Sequence, residues 1–276
     1  MNKMPTAFIV AALVAPALAL PAAYAVAQKA QGRATPAIAA AVASPARTPA
    51  NVARDRYRHP AETLAFFGVR PDQTVVEFQP SGGWYTEILA PMLSDKGRYV
   101  GLTGTSQRAR DGFAAVLAKG GDRYKGATAA TLDGATGTST VPDGSADVVL
   151  TFRNVHNLIM AGGATAPNSF KAFYRMLKPG GTLGVVDHRL PEGADAAAEM
   201  KSGYLKRSTV VRLAEQAGFR LAGESQVNAN ARDTHDWPEG VWTLPPTLRL
   251  GDTDRAKYLA VGESDRMTLK FVKPRR

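Results

Sequence analysis

The feature that most limits what this chain can fold into is a series of short, nearly unbroken apolar runs separated by stripes of helical period. Thr74-Val75-Val76-Glu77-Phe78, Arg98 to Leu102, Ala127 to Leu132, Ala146 to Phe152 and Thr182 to Asp187 each have the length and continuity of a buried strand. Between them, Trp84, Ile88, Leu89 and Met92, then Phe113, Val116 and Leu117, then Phe170, Phe173, Tyr174 and Leu177 recur at helical spacing. The last stripe is closed by Lys178-Pro179-Gly180-Gly181. Strands that are apolar on both faces belong to a parallel sheet covered by helices on each side, so the spacing predicts a doubly wound α/β domain. A helix from near Ser208, a sixth strand over Phe219–Gln226 and a seventh over Met267–Val272 complete it. The proline-rich stretch Trp237 to Pro246 reads as a long ordered loop, or a lid, between the last two strands.

The chain before this pattern divides in two. Lys3, the apolar run Ala7–Leu20 and the small residues Ala23, Ala25 and Ala27 read as a secretion signal over 1–27, cut after Ala25 or Ala27. Export to the periplasm, or otherwise outside the cytoplasmic membrane, is therefore expected, with no membrane-spanning segment once the signal is removed. Residues 28–50, the bulk of the segment 28–53, are mostly Ala, with Pro, Thr, Gln and Ser, and Ile38 and Val42 are their sole large apolar residues. They read as a disordered spacer, leaving 54–276 as the folded domain. Within it, Pro60 suits a helix start and Gly68 its end.

With 276 residues, 45% hydrophobic and 21% charged, the chain can bury a sizeable core. It has no cysteine, which excludes disulfides, thiolate metal sites and a cysteine nucleophile. The formal charge is +10, and losing residues 1–27 removes only Lys3 and leaves +9. Such an excess could attract anionic lipids, nucleic acid or acidic polymers, but the basic residues are scattered, which speaks against specific nucleic-acid binding.

In an open α/β sheet the ligand lies beyond the carboxyl ends of the strands, where strand order reverses. That directs attention to Glu77-Phe78-Gln79-Pro80-Ser81-Gly82-Gly83-Trp84, in which two glycines allow close backbone approach. Glu77, an acid ending an apolar strand, needs a partner.

With that loop, Arg56-Tyr57-Arg58-His59-Pro60, Ala146 to Asn157 and Leu177-Lys178-Pro179-Gly180-Gly181-Thr182-Leu183, the chain resembles the class I S-adenosylmethionine-dependent methyltransferases over roughly residues 54–274, and within them a secreted bacterial branch. The resemblance implies a Rossmann-like, mostly parallel seven-stranded sheet with an antiparallel last strand, and S-adenosylmethionine as cofactor. It implies cofactor contacts from Glu77, Pro80, Ser81, Gly82, Gly83 and Tyr85 at the methionine end, and from Asp133 at the adenine amine. Asp133, beside Gly134, reads equally as a turn aspartate. Arg153, Asn154 and His156 would meet the methionine end or the substrate.

Two departures stand out. The glycine loop begins Gln79-Pro80-Ser81, and the second strand ends Leu102-Thr103-Gly104-Thr105, without the acid that usually binds the ribose. Thr103 or Thr105 could meet the ribose as a neutral substitute, Thr103 being the one expected near it, and the loss of the acid argues against a nicotinamide enzyme.

For catalysis, His156, His188 and Asn154 are the candidates, the two histidines converging above the sheet as base or as hydrogen-bonded structural residues. A metal site from His156, Asp187 and His188 has no enforcing spacing, and none is assigned. The expected function is methyl transfer to a small molecule or an envelope component. The rival is a non-catalytic envelope protein that kept the fold and binds a ligand.

Overall fold

The computed structural model describes residues 34–275. The expected export signal and its cleavage points lie outside the described residues.

The apolar runs become strands where the sequence places them. Among the described residues these are β1 (Thr74–Phe78), β2 (Arg98–Gly104), β3 (Thr128–Leu132), β4 (Ala146–Phe152), β5 (Leu177–Leu190), a two-residue β6 (Leu205–Lys206), β7 (Arg220–Ser225) and β8 (Arg266–Val272). Seven lie side by side in the order β3-β2-β1-β4-β5-β8-β7, while β6 pairs with β5 off this path. Only β8 runs against the others, pairing antiparallel with both β5 and β7. The expected seven-stranded, Rossmann-like sheet with an antiparallel last strand is the observed one. Its last strand is inserted between β5 and β7, and strand order reverses between β1 and β4.

Successive strand residues face opposite sides, and both sides are covered. Val75 and Val148 pack with Leu64, Phe67, Ile88, Leu89 and Phe113. Their neighbours Val76 and Val149 pack with Phe170, Phe173, Met176 and Val210. The first face is covered by α4 (Pro60–Phe67), α5 (Thr86–Leu93) and α6 (Gln107–Gly120). The second is covered by α7 (Val155–Met160), α8 (Thr165–Met176) and α9 (Arg207–Gln216). Local signals set the ends. Ser106 caps α6 by accepting the Ala109 N–H, and Gly68 ends α4 at φ 75°.

The stretch expected to be a disordered spacer is, from residue 34 onward, folded onto the domain. It forms α1 (Pro36–Val42) and α2 (Pro49–Val52), and α3 (Asp55–Arg58) follows at the start of the expected domain. Alanine has the best intrinsic helix propensity, and Thr35 caps α1, so this composition forms a helix once docking offsets the ordering entropy. Ile38 provides the dock and is fully buried in the cluster with α4 and α5. Arg47 forks onto the Asp55 carboxylate at 2.6 and 2.8 Å, and Glu87 accepts both the Thr48 N–H and its hydroxyl. The strap 34–58 therefore covers the start of α5.

The stretch after β7 is mostly irregular, as its prolines require. It also holds α10 (Arg255–Val261), which has no counterpart in the sequence reading. Asp233 anchors it, accepting from the Tyr204 hydroxyl, the Trp237 indole and the Asp265 N–H.

Candidate functional site

A cavity of about 300 Å³ opens at the carboxyl ends of β1, β2 and β3, at the low end for small-molecule sites. Phe78, Leu132 and Leu158 give it apolar walls. Gln79, Thr105 and Ser106 give it polar groups, and Gly104, Gly134 and Thr165 complete the lining. Gly134 is demanded by close approach, because a Cβ there would sit 2.9 Å from the Thr165 methyl. Apolar walls thus stand beside hydroxyl and amide groups.

Strand parity decides which sequence candidates reach this cavity. Phe78, Leu102 and Leu132 share the face that carries it, and Gly104 has the parity of Leu102. Glu77 and Thr103 have the opposite parity. Thr103 is buried, its hydroxyl directed to the carbonyls of Gly104 and Ala130 at 3.2 and 3.4 Å. Thr103, expected near the ribose, does not line the cavity, whereas Gly104, Thr105 and Ser106 do.

Glu77 likewise turns from the cavity into the opposite core, where it accepts from the Tyr99 hydroxyl at 2.6 Å, itself 2.8 Å from that of Thr86. Glu77, expected to contact the cofactor, does not line the cavity, whereas Gln79 does. Burial pushes the Glu77 pKa up to about 7, against the opposing Tyr99 hydrogen bond and the nearby Arg58 charge. A carboxyl raised in this way holds its proton more tightly in the folded chain. Its contribution to stability is full below the ordinary value of 4.5 and is lost as pH rises through about 7. Glu77→Gln removes that loss, so urea denaturation at pH 8 should find the variant more stable by roughly 2–3 kcal/mol, and at pH 4 unchanged. A variant weaker at both pH values would contradict this account of Glu77.

The loop after β1 is strained and held from outside. Gln79 and Ser81 adopt φ 51° and 54°, and Gly83 φ 80°, where a Cβ would meet a Val116 methyl at 2.5 Å. Non-glycine residues with positive φ cost free energy and cluster at functional sites. Pro80 is buried, while Ser81 and Gly82 are exposed at the turn. Tyr85 belongs to the core and stacks on Phe152 with ring centres 3.7 Å apart, so the contact expected of it is a packing one. Trp84 lies between the guanidinium groups of Arg47 and Arg58, at 5.2 and 3.9 Å, and donates its indole N–H to the Asn51 carbonyl. The strap thus fixes the loop, which no local pattern in 34–53 announces. Asp133 caps its own turn by accepting the Ala135 N–H, flanked by the lining residues Leu132 and Gly134.

Beyond β4 and β5 the structure brings His156, Asp187 and His188 together. Asp187 is fully buried, and one oxygen accepts the Val155 and His156 backbone N–H groups at 2.7 and 3.2 Å. The other accepts the His188 N–H and faces His156 Nδ1, both at 2.8 Å. An acceptor-only carboxylate fixes Nδ1 as the protonated nitrogen of His156, leaving Nε2 as the basic one. The His156 ring lies 5.0 Å from His188 and 6.1 Å from Trp242 of the post-β7 loop, between ring centres. Asn154 donates to the carbonyls of Phe78 and Phe152, tying β1 to β4. Its placement is that of a strut under the site.

His188 faces the other way. Nδ1 meets the Ser264 hydroxyl at 2.5 Å, and Nε2 accepts from Arg153 Nε at 3.3 Å. Burial, with Arg153 next, holds its pKa well below the usual histidine range. Among the described residues, His156, Asp187 and His188 are the only group able to offer three metal ligands. His156 Nδ1, both Asp187 oxygens and both His188 ring nitrogens are engaged in the hydrogen bonds above, which leaves His156 Nε2 alone of these atoms, and arginines stand beside the group, so the set as built does not suit a cation.

No protein-family model and no curated protein sequence matches the chain. Solved structures do match. A methyltransferase dependent on S-adenosylmethionine from Aquifex aeolicus is 16% identical, with a TM-score of 0.55 over 80% of this chain and 93% of that one. A putative sarcosine dimethylglycine methyltransferase from Galdieria sulphuraria is 13% identical, with a TM-score of 0.55 over 81% of this chain and 86% of that one. The [4+2]-cyclase SpnF is 14% identical, with a TM-score of 0.55 over 78% and 79%. At such identities the likeness establishes the fold, which is that of the S-adenosylmethionine-dependent methyltransferases. The cyclase among them is a reminder that this fold alone does not name a reaction.

Proposed function

We propose that the protein is an S-adenosylmethionine-dependent methyltransferase acting on a small molecule or a cell-envelope component. The observation that carries this reading is a cavity with apolar walls and polar edges sharing α7 with a buried Asp–His dyad: Leu158 lines the cavity and His156 forms the dyad. Leu132, Leu158 and Gly134 fit the adenine, and Gly104, Thr105, Ser106 and Gln79 fit the ribose and the methionine chain beyond it. S-adenosylmethionine supplies an electrophilic methyl group when bound. The chain's own residues align the acceptor and take its proton: His156 Nε2 is the base, and Asp187 keeps it in the basic tautomer. The reading that the protein works outside the cytoplasmic membrane rests on Lys3 and the apolar run Ala7–Leu20.

Incubation with methyl-labelled S-adenosylmethionine and an envelope or small-molecule extract should transfer label to a discrete acceptor. Cofactor binding without transfer to any acceptor would favour the non-catalytic reading, for which the neutral β2 edge is the supporting observation.

The same edge gives a second test. A Cβ added to Gly104 would lie 3.6 Å from the Gln79 amide nitrogen and 3.9 Å from the Ala109 methyl, ordinary contacts that leave room for a side chain. Gly104→Asp restores an ionised acceptor, whose hydrogen bonds are roughly twice as strong as neutral ones. Calorimetry should find S-adenosylmethionine bound about tenfold more tightly, or 1.4 kcal/mol. Weaker binding by a folded variant would move the ribose away from this edge.

A further inference from the structure

Four arginines gather over the carboxyl ends of β4 and β5 and the start of β8, and none of them lines the cavity. Arg153 follows β4, Arg266 opens β8, and Arg54 and Arg58 come from the strap. Arg58 and Arg266 are 7% and 2% exposed, which for arginine demands partners. One carboxylate touches the group directly, while Glu77 acts on Arg58 and Asp187 on Arg153 only through charge. Glu263 accepts from Arg54 Nε at 2.6 Å and lies 3.2 Å from Arg266 Nη1, while Arg266 Nη2 is taken by the Tyr57 carbonyl. Arg54 Nη2 and Arg266 Nε are buried with no hydrogen-bond acceptor among the described residues.

Arg58 and Arg153 leave more guanidinium nitrogens without an acceptor among the described residues, none of them fully enclosed. Arg58 lies 3.9 Å over Trp84 and 4.9 Å over Tyr85, and its guanidinium meets no acceptor among the described residues. Arg153, at φ 63°, spends Nε on His188 and leaves both terminal nitrogens without an acceptor among those residues. The His188 link is itself fixed, because Ser264 takes the other ring nitrogen. Burial and mutual repulsion bring Arg58 down to about 9 and Arg153 to about 10. Burying an uncompensated charge is among the costlier things a protein does, and planar guanidinium forks match carboxylate and phosphate oxygens.

We propose that Arg58 and Arg153, steadied by His188 and backed by Arg266, form a receptor for an anionic group, carboxylate or phosphate, on the methyl acceptor. The assignment to the acceptor rests on the methyltransferase reading. The cavity lies over β1 to β3 and the arginines beyond β4, with the His156–Asp187 dyad on α7 and β5. An acceptor whose anion is gripped by Arg153 has its nucleophile beside that dyad. His188 is then a positioning residue, holding Arg153 rather than moving protons.

The test uses inorganic phosphate and succinate as probes, at constant ionic strength set by chloride. Each should raise the melting temperature of the wild-type protein saturably, and Arg153→Met and Arg58→Met should weaken that binding at least tenfold, the effect of losing one charge-assisted contact. Removing a surplus buried charge should leave both variants folded, checked by circular dichroism, and Arg153→Lys should recover part of the binding. A second arm titrates each protein with S-adenosylmethionine and with 5′-methylthioadenosine, which lacks the amino-acid carboxylate. Unchanged affinities for both in the variants support an acceptor site. If Arg153→Met weakens S-adenosylmethionine but not methylthioadenosine, the anion is the cofactor's own and the proposal is overturned. Absence of saturable stabilisation by either probe overturns it as well. Probe binding in a protein that does not bind S-adenosylmethionine would retain the anion receptor and remove only the methyltransferase reading.

Discussion

Replacing His156 with alanine is expected to lower methyl transfer by a factor of about 10²–10⁴, the usual contribution of a positioned general base, while leaving affinity for S-adenosylmethionine unchanged. His156 is 3% exposed, and its Nδ1 is committed to Asp187 at 2.8 Å, so Nε2 is the nitrogen able to take a proton. Its substitution removes no cavity-lining group. Label transfer and calorimetry, run on the same preparation, separate the two effects. Equal losses in binding and transfer would show that His156 holds ligand rather than assists chemistry. Full transfer would take it out of the mechanism.

Asp187→Ala carries the largest expected cost in stability. The carboxylate accepts three backbone N–H groups, from Val155, His156 and His188, as well as the His156 ring. All lie in the interior, and each donor left unsatisfied there costs about 1–3 kcal/mol. Because some of these groups can relax toward water, urea denaturation should show a loss of about 3–5 kcal/mol. Asp187→Asn keeps one carbonyl oxygen and should lose less, but its amide cannot accept from both sides, so His156 loses its tautomer and transfer still falls. A loss below about 1 kcal/mol for the alanine variant, on the same scale, would mean that the aspartate is neither cap nor anchor.

Much of the sheet was legible because burial on both faces leaves a continuous apolar signal, as in Val148-Val149-Leu150. The helix Pro60–Phe67 was legible because proline and glycine mark its ends. The strap 34–58 was not, since an alanine-rich segment with Ile38 as its anchor has no periodicity to distinguish a docked helix from a spacer. Strand ends were misread by one residue for a related reason. Glu77 and Thr103 are the polar residues that stand out, whereas parity gives the cavity to Phe78 and to Gly104, which has no side chain to attract notice, and Gln79 reaches it from the positive-φ turn beyond β1. The histidines and Asp187 were found, but not which atoms pair, nor Ser264. Asp187 reaches His156 across 31 positions and His188 reaches Ser264 across 76, pairings that only the tertiary fold creates. The same holds for the arginine group, drawn from the strap, β4 and β8.

The central claim is that the cavity over β1, β2 and β3 receives S-adenosylmethionine. Calorimetric titration of the folded protein with that compound tests it most directly, with Gly134→Val as the control, since a Cβ at that position already collides with Thr165. The account predicts saturable binding of one equivalent to the wild-type protein and its loss in the variant. No heat of binding at millimolar ligand, or binding that survives unchanged in a folded Gly134→Val protein, would contradict it.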